Sequence, residues 1–143
     1  NLNGFTLTEL LVVVAILGIL AAVGVVSYSG YVSSAERKTA ENLMQQIALA
    51  QSEHLSDNGI YYSVTESNCT ATTDTLSDIY ENLLGATTAG RAKQKAEDSA
   101  FAICISKDES GEEATNTDYL ITATNGTLTF TMNSEGEIDT GEE

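Results

Sequence analysis

The sequence predicts an α+β fold, a long N-terminal α-helix with a small antiparallel β-sheet packed on its C-terminal half. Residues 10–26 contain no charged or polar side chain and run, without a turn signal, into a stretch with a single apolar face. The C-terminal third instead alternates apolar with polar residues around an Asn-Gly pair. The 143 residues include no proline, the residue that most firmly interrupts a helix.

Each element follows from its own pattern. A helix over residues 5–26 measures about 33 Å, enough to cross a hydrocarbon core of about 30 Å. Glu9 stands directly before the apolar run, in a flank where Phe5 and Leu7 alternate with Thr6 and Thr8. A carboxylate at the edge of such a span is costly and calls for a partner, which Thr6 or Thr8 could supply by hydrogen bonding. A secretory signal peptide would need a basic leader and a shorter apolar stretch. A plain anchor accounts for the length but not for Glu9, and a buried core helix of this apolarity would be hard for one small domain to cover.

Beyond residue 26, Tyr28, Val32, Ala35, Leu43, Ile47 and Ala50 recur at helical steps, so the helix continues to about Leu55 and stops at Asn58-Gly59. Residues 76–84 and 91–99 read as two short helices within a connecting loop, the second holding Arg91, Lys93 and Lys95, three of the six basic residues. Residues 101–106, 119–124 and 127–133 read as three strands. Asn125-Gly126 is expected to join the last two as a two-residue type I′ turn. Leu128, Phe130 and Met132 would then face the helix, with Thr127, Thr129 and Thr131 towards solvent.

The stretch Gly4-Phe5-Thr6-Leu7-Thr8-Glu9-Leu10-Leu11, with its apolar continuation to Ala22, resembles the N-terminal signature of type IV pilins and the related pseudopilins. A second, looser likeness lies in Asp57-Asn58-Gly59-Ile60-Tyr61, which is similar to the Asn-Gly-x-Tyr stretch following the long helix of such proteins. The resemblance implies that a prepilin peptidase cuts after Gly4 and that the new amine of Phe5 is methylated, so residues 1–4 would be a leader remnant. It also implies that Phe5 and Glu9 act in assembly, the carboxylate compensating that amine in a filament. The expected partners are therefore further copies in a helical filament, the prepilin peptidase, and the inner membrane before export to the cell surface.

Two features depart from the resemblance. Val26 stands where many members carry a proline, leaving Gly18 and Gly24 as the residues that could loosen the first helix. Many pilins close a disulfide near the C-terminus, whereas the cysteines here are Cys69 and Cys104. In a chain whose soluble part lies beyond a membrane segment, the two are most simply a disulfide.

Composition limits the function. Setting the apolar helix aside leaves one small globular unit, residues 56–143, after a helix over 5–55 and the 1–4 remnant. Twenty-one acidic against six basic residues give a formal charge of −15, which repels nucleic acid, so no direct nucleic-acid binding is expected. The single histidine, His54, cannot readily build a catalytic triad near a helix end, so no enzyme activity and no cofactor are expected. Asp108, Glu109, Glu112 and Glu113, and separately Glu135, Glu137 and Asp139, lack EF-hand spacing and read as solvated acid with no metal expected. The sequons at Asn68 and Asn125 are weak signals. Adhesion, motility and DNA uptake are not distinguished, and a secretion pseudopilin or a monomeric membrane-anchored binding module remain alternatives to a pilus subunit.

Overall fold

The computed structural model describes residues 4, 6–65, 68–107 and 118–140, in the order α1 (Leu7–Asn58), α2 (Thr73–Asn82), α3 (Ala89–Glu97), β1 (Ala102–Lys107), β2 (Tyr119–Thr124), β3 (Thr129–Asn133) and β4 (Ile138–Asp139). Two compact units divide between residues 37 and 38, inside α1. The reason is packing. The second half of α1 supplies part of the core of the unit that holds the sheet.

Unit 1 is the first half of α1. Its helix passes Gly18 and Gly24 without interruption, and a Cβ at either position would meet no neighbouring atom. From Leu7 to Val25 the large apolar side chains are between 48% and 79% exposed.

In unit 2, α1 buries Ala40, Met44, Ile47 and Gln51, spaced four, three and four residues apart on one face. This face is rotated from the expected line through Leu43, Ile47 and Ala50, since Leu43 and Ala50 are only partly buried. The polar residue explains the difference, because Gln51 is fully buried and hydrogen-bonded on both ends of its amide. The helix ends at Asn58, and Gly59 follows with φ of +75°, the left-handed conformation glycine adopts without penalty.

The two short helices begin two to three residues earlier than the apolar spacing suggests, and at α2 a threonine capping box fixes the start. At α2 the Thr75 amide donates to Thr72 Oγ1 (3.2 Å) and the Thr72 amide to Thr75 Oγ1 (2.9 Å). At α3, Thr88 is the N-cap residue and its carbonyl accepts from the Arg91 and Ala92 amides. The α3 residues Ala92 and Ala96, one turn apart, are buried where α3 contacts α2, small side chains that let the helices approach. Lys95 Nζ lies 5.3 Å from the centre of the Tyr80 ring, a cation–π contact between the two helices.

The sheet has four antiparallel strands in the order β1-β2-β3-β4, not three. The added strand forms where an acidic tail is expected. A turn at Gly136 (φ +84°), held by the Asn133 side chain accepting the Glu137 amide at 2.9 Å, returns Ile138 beside Met132. One half-buried isoleucine within an acidic run is too little periodicity to announce a strand.

The β2–β3 connection also differs from the expected two-residue turn. Thr124 pairs with Thr129, so Asn125, Gly126, Thr127 and Leu128 form a four-residue loop. A type I′ turn needs positive φ at both central residues, whereas only Gly126 (φ +87°) has it. Asn125 instead turns its side chain inward, Oδ1 accepting from the amides of Thr127 (3.0 Å) and Leu128 (2.9 Å). The resulting register sets bulky Phe130 opposite small Ala123 and Met132 opposite Ile121, with all four buried.

β1 departs from simple alternation, since Ile103, Cys104, Ile105 and Ser106 are all buried. Residues 64 and 65 cover its edge, with the Val64 amide donating to the Ile105 carbonyl (2.9 Å) and Thr65 bridging to Ser106 in parallel. Cys69 is joined to Cys104 by a disulfide, with Cα atoms 5.9 Å apart, and the Thr75 hydroxyl donates to the Ile103 carbonyl at 2.8 Å.

Candidate assembly site at the start of the first helix

The residues singled out by the sequence at the N-terminus fall into two groups. Gly4 is described and exposed, while Phe5 lies outside the described residues. Thr6 and Glu9 form a capping box. The Thr6 backbone amide and hydroxyl both donate to Glu9 Oε2, at 2.9 and 2.6 Å, and the Glu9 amide donates back to Thr6 Oγ1 at 3.3 Å. The Leu10 amide completes the first turn on the Thr6 carbonyl (3.3 Å). The threonine-x-x-glutamate spacing is the signal that selects Thr6 over Thr8 as the partner.

The box answers the question raised by a carboxylate beside an apolar run. Free amides at a helix start favour negative charge, and Glu9 in the first turn of α1 satisfies one of them while its threonine satisfies another. Immediately after it, α1 contains an 18-residue window with mean hydropathy 3.0, none of it buried within this chain. Thus a fixed anionic cap heads an apolar helix with no intramolecular cover.

The remaining candidates are not gathered at this site. Gly18 and Gly24 lie along the same helix, and the disulfide lies in unit 2. His54, near the end of α1, has Nδ1 3.0 Å from the Ile60 carbonyl oxygen and its ring edge-on to Tyr62 at 5.8 Å, contacts that fix the chain leaving the helix. Asp108, Glu109, Glu112 and Glu113 lie outside the described residues. Among the described residues, no three histidine, cysteine or acidic side chains come together as a metal site. Sequence reasoning missed Gln51, whose buried amide holds the segment after α1. Its helical spacing from Met44 and Ile47 was the available signal.

Residues 2–25 match the prokaryotic N-terminal methylation motif. Fimbrial protein EcpC of Eikenella corrodens is 44% identical over 59 residues, covering 41% of this chain and 39% of that protein. Type IV major fimbrial protein FimA of Dichelobacter nodosus is 39% identical over 55 residues, covering 38% of this chain and 34% of that one. The chain thus spans well under half the length of the curated relatives it matches. No solved structure matches it significantly. The methylation motif lies at the start of a long helix that is followed along the chain by two short helices and a small antiparallel sheet. The chain carries the N-terminal methylation motif and is similar, over 59 and 55 residues, to two fimbrial proteins, the second a type IV major fimbrial protein.

Proposed function

We propose that this chain polymerises through the first half of α1 into an extracellular type IV pilus. The observation that carries the reading is the bare apolar half-helix headed by Glu9, a surface that a monomer in water would not leave exposed. Before assembly the same surface lies in the inner membrane. The distance from Leu7 to Tyr28 is about 32 Å of helix, and the exposed Tyr28 and Tyr31 fall where an aromatic belt meets the headgroups.

A prepilin peptidase cuts between Gly4 and Phe5, and the Phe5 amine is methylated. In the filament, apolar helices of neighbouring copies cover one another, and Glu9, already oriented by Thr6, receives the amine of an adjacent copy. Gly18 and Gly24 give the helix local compliance as it packs. A secretion pseudopilin is the competing reading, and the relatives, both named as fimbrial proteins, favour a pilus.

Two measurements test this. The mass of the native N-terminal peptide is expected to begin at a methylated Phe5, and negative-stain microscopy of sheared surface material is expected to show filaments that contain this chain. An unprocessed N-terminus, or surface material without such filaments, refutes the reading.

A further inference from the structure

Besides Asn3-Gly4, whose asparagine lies outside the described residues, the chain has Asn-Gly pairs at two exposed turns, Asn58-Gly59 and Asn125-Gly126, and their surroundings differ chemically. Glycine after asparagine leaves the following amide nitrogen sterically open to the side-chain carbonyl. At Asn58 that opening is blocked by helix hydrogen bonds. The Gly59 amide donates to the Leu55 carbonyl at 2.8 Å, and Asn58 Nδ2 donates to the His54 carbonyl at 3.1 Å, so both reacting groups are engaged at the end of α1.

At Asn125 the partners sit on the other side of the reaction. Oδ1 accepts two backbone amides, Thr127 at 3.0 Å and Leu128 at 2.9 Å. Two donors on one carbonyl oxygen polarise the carbon and stabilise the negative charge that develops on that oxygen when a nucleophile adds, as in an oxyanion hole. The Gly126 amide is outside any helix or strand ladder and donates to the hydroxyl of Thr124 at the end of β2 (3.1 Å), which in turn donates to the Leu128 carbonyl (2.9 Å). Gly126, at φ +87°, carries no side chain to hinder approach.

We propose that Asn125 is a self-modification site, which cyclises onto the Gly126 nitrogen and opens to a mixture of aspartate and isoaspartate, while Asn58 is protected. The Gly126 nitrogen gives its proton to hydroxide and forms a bond to Asn125 Cγ. The charge on Oδ1 is held by the Thr127 and Leu128 amides, then collapses to expel the side-chain nitrogen, which takes one proton from water as it leaves as ammonia and a second to become ammonium. Water adds to either carbonyl of the five-membered succinimide and opens it, leaving a carboxylate. The net change is one side-chain amide plus water going to one carboxylate plus ammonium. Each event adds a negative charge to an already acidic surface, and the isoaspartate product inserts a methylene into the backbone of the four-residue loop.

The test is peptide mapping by mass spectrometry of the full-length chain in detergent, incubated at mildly alkaline pH, beside the same chain unfolded in guanidinium chloride. Solvent-exposed donors act less strongly than those of a buried oxyanion hole, so the expected acceleration at Asn125 in the folded chain over the unfolded one is about tenfold. Asn58 is expected to convert more slowly than Asn125 in the folded chain and to approach it in the unfolded one, with isoaspartate accompanying aspartate at Asn125. Conversion of Asn125 no faster folded than unfolded, conversion of Asn58 as fast as Asn125 in the folded chain, or aspartate without isoaspartate overturns the proposal.

Discussion

The side-chain amide of Gln51 brackets the backbone of Tyr62. Nε2 donates to the Tyr62 carbonyl at 2.7 Å and Oε1 accepts the Tyr62 amide at 2.8 Å, the same pair of bonds a neighbouring strand would make. A buried polar residue on the core face of α1 thereby fixes the chain that leaves the helix. Gln51→Leu keeps the size but orphans both backbone groups, and is expected to destabilise unit 2 by about 1–3 kcal/mol in denaturant titration. Gln51→Glu, which at neutral pH sets a buried carboxylate oxygen against the Tyr62 carbonyl, should cost at least as much as Gln51→Leu and recover towards acid pH as the carboxyl regains a proton to donate.

The Cys69–Cys104 bridge closes a loop with a sequence separation of 35. Cys104→Ala is expected to cost about 4 kcal/mol in the chain-entropy picture. Guanidinium unfolding of wild type under reducing conditions should reproduce most of the loss, and equal midpoints with and without reductant would contradict it.

Burial pushes the phenols of Tyr62, Tyr80 and Tyr119 above their ordinary range, with the neighbouring Tyr61 adding to the effect at Tyr119. The folded chain therefore holds these protons more tightly than the unfolded chain. The stability this contributes is fully present below the unfolded phenol pKa of about 10 and is lost as pH rises through the higher folded values. Thermal melts are expected to change little on this account between neutral pH and about pH 10, then to fall. Tyr119→Phe should shallow that alkaline decline.

Glu9→Ala removes the anionic half of the capping box and leaves the apolar run intact. The variant is expected to enter membranes at least as well as wild type, by fractionation, while giving little filament in shear preparations. Thr6→Val should give an intermediate filament yield, because the carboxylate survives and keeps the bond from the backbone amide of residue 6 but loses the one from the Thr6 hydroxyl. Wild-type yield from Glu9→Ala would remove the carboxylate from the assembly mechanism.

What the sequence made legible was whatever rests on long periodicity. The apolar run, the stop at Asn58-Gly59, the alternation through Phe130 and Met132, and the Thr6–Glu9 partnership all follow from local spacing. The features it concealed depend on partners distant in the chain. Gln51 reads as a surface residue until Tyr62 is brought to it, and Cys104 and Ser106 read as an outward face until Cys69 and Thr65 meet them. The Asn125 loop shows the limit of dipeptide rules. A side chain that captures two amides competes with the type I′ turn, and the register that places Phe130 over Ala123 is the one seen.

The cover over β1 has a consequence for the fibre proposed above, in which copies would be crowded together. Open sheet edges invite unrelated copies to add strands, a route to irreversible aggregates. One margin of this sheet is occupied by the chain's own residues 64 and 65. The other, β4, is two residues long, with Glu137 directly before it and Asp139 within it. Strand addition is thereby disfavoured at both margins, and in the proposed fibre copies would be left to recognise one another through their helices.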